Sequence, residues 1–279
     1  MKSQISLRDV CSTVYIVAHK EDISDLVSCL GMNGFSVQIQ RGPYSAEQEA
    51  YDSQIKCLIN HSNVWRRVAE GRETCIVVEA DFVPVEDFGS APSPMPDDTD
   101  RPEAGFCWLY SAGSILYGFD RDGFPTGHGN TTVAYMLTPR VASMLMKFVE
   151  RELSRADPGK YSRWETYLGV YLRWECGILN YFPTYCYGEH GGISQSEHTR
   201  AGGRAWHQAD MLLGRLAFLP AYADGSRLRY FAIRARAYLR GWVRLALLRF
   251  YDPRYVNSDS QKGRIAMAWY SCARLLRIV

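Results

Sequence analysis

Hydrophobic and polar positions change period along the chain, and each change marks an element. "STVYIVAHK" (Ser12–Lys20) reads as a buried strand. "EDISDLVSCLGMNGF" follows as an acid-started helix whose Leu26, Cys29 and Leu30 share one face before Gly31 and Gly34 end it. "SVQIQ" alternates as a second strand. From Ala46 to Ala69 a helical pattern returns, with Ile55, Leu58, Ile59 and Val68 as its buried positions. It leads into "CIVVEADFVP" (Cys75–Pro84), whose consecutive apolar residues Cys75 to Val78 fit a strand covered on both faces. The order β-α-β-α-β is one half of a doubly wound α/β sheet.

The segment from Pro84 to Gly105 is rich in proline and acidic residues and predicts an exposed loop, of the kind that often serves as a lid or else is disordered. Beyond it, "FCWLY" and "SILYGF" suggest short strands. "TTVAYMLTPRVASMLMKFVERELS" reads as a strand meeting a helix begun near Pro139, where proline's missing N–H lacks a partner in any case. A short amphipathic helix, an apolar strand ending at Pro183 and a Gly-rich turn with His190 and His198 follow.

With 47% hydrophobic and 22% charged residues among 279, the composition is that of a globular protein, with no repeats. The net charge of +2 hides an asymmetry, because residues 200–279 hold 15 Lys and Arg against 4 Asp. We therefore divide the chain into an α/β catalytic domain over 1–199 and a basic helical region over 200–279, facing different partners. Eight scattered cysteines without a Cys-x-x-Cys pair read as reduced core thiols of a cytoplasmic protein. The N-terminus lacks a signal-peptide pattern, and no apolar run reaches the roughly 18 residues a spanning helix needs.

Chemistry enters at Glu79 and Asp81. Ligands of open α/β sheets bind outside the carboxyl ends of the strands, so a Glu-x-Asp there sits where a divalent cation and a phosphate meet. The competing reading is a strand that ends in solvated acids.

The stretch "CLINHSNVWRRVAEGRETCIVVEADFVPVEDF" resembles the bacterial lipopolysaccharide-type glycosyltransferase family 25. That family shows a small-residue–Leu-Ser-His stretch, a Trp, a spacer helix and an apolar strand ending in Glu-Asp-Asp. His61 and Trp65 match, and Glu79 and Asp81 take the outer acidic positions. "NTTVAYMLTPRVASMLM" resembles a second block of the family, with Tyr135, Pro139 and Ala142 in register; the likeness covers residues 12–198. Asn60 stands where the family has Ser, and Ala80 replaces the middle Asp. Alternation along an extended chain sends that middle side chain to the opposite face.

The resemblance implies a GT-A fold and an inverting transfer of a hexose from a UDP-sugar such as UDP-galactose to a lipid-linked, lipopolysaccharide or exopolysaccharide glycan. It further implies Mn²⁺ or Mg²⁺ held by Glu79, Asp81 and a later histidine, His198 in preference to His190. Glu165 in "RWETYL" is the expected base, with Asp157 as competitor. His61 would orient the donor, and His19 lies where the nucleotide would approach. A catalytically inactive nucleotide-sugar-binding scaffold is the alternative. A nucleotidyltransferase would need a Gly-rich loop after the first strand, which "AHKEDISD" lacks.

In the basic region, Ala235, Leu239, Trp242, Ala246 and Phe250 follow the spacing of one helical face, while Arg236, Arg240 and Arg244 line another. This pattern suits an interfacial helix on an anionic membrane, or a helix packed on the catalytic domain. With no nucleic-acid module alongside, the expectation is a cytoplasmic protein peripheral on the inner face of the membrane, with no nucleic-acid partner.

Overall fold

The computed structural model describes residues 5–96, 101–129, 131–157, 160–192, 208–251 and 261–276. A single turn, α1 (Leu7–Val10), is closed by reciprocal bonds between Ser6 and Asp9. Strand β1 (Thr13–Val17) then pairs in parallel with β2 (Ser36–Gln40) on one side and β3 (Cys75–Glu79) on the other. Helices α2 (Ser24–Met32) and α3 (Ser53–Glu70) are the crossovers, so the β-α-β-α-β half forms as the periodicity predicts. Helix α3 begins later than Ala46 because Asp52 caps it, accepting bonds from the amides of Gln54 and Ile55.

The rest of the chain extends the sheet. Strands β4 (Phe82–Pro84), β5 (Phe106–Trp108), β6 (Ile115–Phe119), β7 (Pro125–His128) and β8 (Ala134–Leu137) precede α4 (Pro139–Ser154) and α5 (Trp164–Trp174). Strands β9 (Asn180–Tyr181) and β10 (Gly188–His190) follow, then α6 (Arg227–Ala246) and α7 (Gln261–Leu276). The main sheet has eight strands in the order β2-β1-β3-β8-β5-β9-β7-β6, with β8 antiparallel between β3 and β5. A separate ribbon pairs β4 with β10 antiparallel, placing His190 opposite Phe82. Gly188 permits this pairing, since a Cβ there would lie 2.3 Å from the Phe82 ring.

Side chains leaving the two faces of the sheet enter two cores. On β3, Ile76 and Val78 join the core that holds Leu26, Leu30 and Phe88, while Cys75 and Val77 join the one under α3 and α4 with Trp65 and Trp164. Ala80 continues the first series and packs on that core, so the middle position of the acidic triplet points away from the face of Glu79.

Two expectations are corrected. Over its described residues the segment from Pro84 to Gly105 is not an exposed loop: Val85, Phe88, Ala91, Met95 and Ala104 are buried in the first core, and Ser93 donates to the Met95 carbonyl. Its prolines and acids mask an apolar series that anchors the segment. In the C-terminal region α6 ends at Ala246, Phe250 is buried beyond it, and Leu239 is exposed. Arg240 and Arg244 turn inward, donating to the carbonyls of Gln208 and Ser114, so two of the three arginines of the second stripe are pins to the body.

Candidate functional site

Glu79 is the last residue of β3, and its amide bonds to the Val133 carbonyl. Its Oε1 accepts a 2.5 Å bond from the Thr132 hydroxyl and lies 3.2 Å from His61 Nε2. His61 is fully buried on α3, and its Nδ1 lies 2.8 Å from the Tyr135 hydroxyl, which also accepts from Trp65 Nε1 at 2.7 Å. The sequence places His61 and Trp65 one helical turn apart, so both reach Tyr135 on β8. His61 thus holds Glu79, and Tyr135 holds His61. Burial pushes the Tyr135 hydroxyl pKa well up, which the Trp65 bond only partly offsets, so the phenol stays neutral.

Asp81 lies two residues on, nearly buried, with Oδ2 3.1 Å from His190 Nε2. Burial alone would depress the His190 pKa, but Asp81, with Glu79 and Glu165 behind it, outweighs burial and raises it to about 9. His190 therefore keeps its proton beside Asp81, with Glu79 and Glu165 behind. The β4–β10 ribbon makes this contact, because its register sets His190 beside the residue preceding Phe82.

Glu165 stands in the first turn of α5, where the helix dipole favours an acid. The adjacent Trp164 is buried and donates from Nε1 to the Gln54 carbonyl at 2.9 Å, tying the start of α5 to the start of α3. The Glu165 pKa is raised well above the ordinary carboxylate value, first by burial and then by Glu79 and Asp81, with His190 and the Thr132 amide acting in the opposite sense. Glu79, Asp81, Glu165 and His190, brought in from three separate segments of the chain, form one electrostatic cluster. The competitor Asp157 is exposed and paired with Lys160.

Cys57 completes the wall. Its Sγ, a His61 nitrogen and a Glu79 oxygen lie within 4.8 Å of one another. Burial, then Glu79, Glu165 and Asp81, push the thiol pKa well above its usual value. A neutral thiol is a poor ligand for a hard cation, so the donor set that fits Mg²⁺ or Mn²⁺ is the carboxylates. Crowded like charges of this kind are what a divalent cation relieves.

His19 lies elsewhere on the sheet rim, exposed just past the carboxyl end of β1. Arg41 donates to the carbonyls of His19 and Glu21, and the His19 and Tyr44 rings lie 6.0 Å apart. His198, assigned to the metal, falls outside the described residues. Thr132, Tyr135 and Cys57 were not expected as parts of the site. Tyr135 carried a signal as the only tyrosine of a strand that otherwise reads Ala-Met-Leu, whereas Thr132 and Cys57 carried none.

The sequence matches no protein-family model and no curated protein. Among solved structures, a glycosyltransferase involved in glycosylation of the major capsid of PBCV-1 aligns with 8% identity and a TM-score of 0.39. That alignment covers 62% of this chain and 83% of the other. A protein described as a glucose-1-phosphate thymidylyltransferase from Bacillus anthracis, in complex with sucrose, aligns with 14% identity and a TM-score of 0.36, over 70% of this chain and 77% of its own.

Proposed function

We propose that the chain is a GT-A-type glycosyltransferase, resembling family 25, that transfers a hexose with inversion from a UDP-sugar such as UDP-galactose to a glycan acceptor, lipid-linked or of the lipopolysaccharide type. The observation that carries this reading is the convergence of Glu79, Asp81, Glu165 and His190 beyond the carboxyl end of β3. Glycosyl transfer needs charge neutralisation at the leaving diphosphate and a base for the acceptor hydroxyl, and the cluster offers groups for both.

Glu79 and Asp81 would hold a divalent cation, which when bound supplies Lewis-acid support to the leaving diphosphate. His61 and Thr132 fix the Glu79 carboxylate before substrate arrives. The His190 imidazolium faces Asp81 and would add positive charge near the metal-binding carboxylates as a leaving diphosphate develops negative charge. Glu165 takes the proton of the acceptor hydroxyl; its raised pKa makes it a stronger base than a solvated carboxylate. His19, beside Tyr44 and Arg41, lines the approach of the nucleotide.

Calorimetric titration with a panel of UDP-sugars, with and without Mn²⁺, tests this reading. The expected result is one UDP-hexose that binds only with Mn²⁺ and releases UDP on addition of glycan acceptors. Binding without turnover would instead support the scaffold reading, and no binding by any donor would remove the nucleotide-sugar assignment.

A further inference from the structure

Helices α6 and α7 present an arrangement that the sequence pattern left open. On α6 the inward side is made by Arg234, Ala237, Arg240, Gly241 and Arg244. Arg234 reaches the buried Glu189 at 2.9 Å and the Ala209 carbonyl at 2.6 Å. The outward side carries Leu228, Phe231, Leu239 and Val243, each more than half exposed and separated by three, eight and four residues, one face of a 3.6-residue helix. Leu247 and Leu248 extend it past the helix end. On α7 the exposed side chains Ile265, Trp269 and Leu276 repeat the pattern, with Trp269 67% exposed. Neither helix contains an Asp or Glu. Exposed arginines flank the apolar positions at 227, 229, 236, 249 and 264.

A water-facing surface normally reverses this order, with arginine stems outermost and apolar residues beneath. Here the polar groups are spent on holding the helices, and the aromatic and aliphatic side chains are left outside. Among the described residues no helix is long and apolar enough to cross a membrane. We propose that the outer face of α6 and α7 is a docking surface for an anionic lipid bilayer, with Phe231, Leu239 and Trp269 entering the headgroup boundary and the exposed arginines meeting lipid phosphates. Arg229 pairs with Asp224 just ahead of α6 at 3.2 Å, but neither helix carries an acid of its own, so a second copy of this face would set arginine against arginine, whereas lipid phosphates answer the charge. The Arg234–Glu189 pair ties this face to the residue preceding His190, so a docked molecule holds the carboxylate cluster at a fixed height over the lipid.

Flotation of the full chain with phosphatidylcholine vesicles, with and without phosphatidylglycerol, tests the proposal. The expected result is co-flotation with the anionic vesicles alone, weakened by salt and not abolished, because the apolar contribution is unscreened. Arg229→Glu with Arg236→Glu should reduce partitioning by about fivefold per arginine or more. Phe231→Ser with Leu239→Ser should reduce it by about tenfold per side chain. As a check that does not depend on those variants folding, brominated phosphatidylglycerol vesicles should quench wild-type tryptophan emission, and Trp269→Phe should remove most of the quenched component. Absence of flotation, equal flotation with neutral vesicles, or quenching unaltered in Trp269→Phe would overturn the proposal. So would a wild-type dimer that the Phe231→Ser, Leu239→Ser variant converts to a monomer, which would make the face a self-association surface.

Discussion

Two neighbouring carboxylates, Glu79 and Asp81, differ in how they are held. The first is fixed by the Thr132 hydroxyl and the His61 ring, the second by an imidazolium. Glu165 completes the set, and its role separates into two outcomes. As a base it acts in the transition state, so Glu165→Gln should lower kcat by about 10²-fold or more while donor Kd barely changes; a matching loss of Mn²⁺-dependent donor affinity would make it a further ligand instead. His190 gives a pH test. Its folded pKa of about 9 exceeds the ordinary 6.5, so the stability it contributes is complete below about pH 6.5 and is lost as pH rises through 9. In the metal-free chain that loss is on the order of 3 kcal/mol. Melting temperature should fall over this window in EDTA, and His190→Asn should flatten the profile; a wild-type profile already flat there would contradict the ion pair. At this scale the sequence marked Glu79, Asp81 and Glu165, which stand at or just past a strand or helix end that periodicity locates, and His61, inside α3, through the family resemblance alone. It ranked His190 behind His198, since the contact with Asp81 depends on the register of β10 against β4, a non-local pairing that no local pattern records.

Positions of elements depend on a few close approaches. Helix α5 lies so near β7 that a Cβ on Gly169 would come within 2.4 Å of His128 Nδ1, and His128 is buried. Gly169→Ala should therefore shift α5, destabilising the chain by about 1–3 kcal/mol and lowering turnover through displacement of Glu165. Unchanged melting and turnover would show that α5 tolerates the shift. The first half of the sheet was legible because β1 and β3 are continuous apolar runs and α2 and α3 have clear faces. The Pro84–Gly105 segment and α6 were misread for related reasons. Composition suggested solvent for the former although Val85, Phe88, Ala91 and Met95 recur at short intervals. For α6 the periodicity separates two stripes but does not say which of them faces the body, and here buried acids on other segments draw the arginine side inward.

Across the whole molecule, those acids are Glu189 and Asp210. Burial disfavours charge on Asp210, yet Arg274 and Arg244 outweigh it and hold its pKa below the ordinary value. Arg274 is bidentate to Asp210 at 2.6 and 3.1 Å and also reaches the Thr184 carbonyl, fastening α7 to the body. Arg274→Met should cost about 3–5 kcal/mol, because it leaves Asp210 buried beside the more distant Arg244 alone, and adding Asp210→Asn should recover part of the loss. Additive losses in the double variant would show that the pair does not act as a unit. Neither acid was visible in the sequence, where each is a lone carboxylate whose arginine partner lies far along the chain. The central claim is that Glu79 and Asp81 form a cation-dependent nucleotide-sugar site beyond the carboxyl end of β3. The most direct test follows the free Mn²⁺ electron-spin resonance signal while the full chain is titrated in the presence of UDP, for wild type and for Asp81→Ala. The signal should fall to a stoichiometric end point with wild type and persist with a folded Asp81→Ala chain; equal Mn²⁺ uptake by both, or none by wild type, would contradict the account.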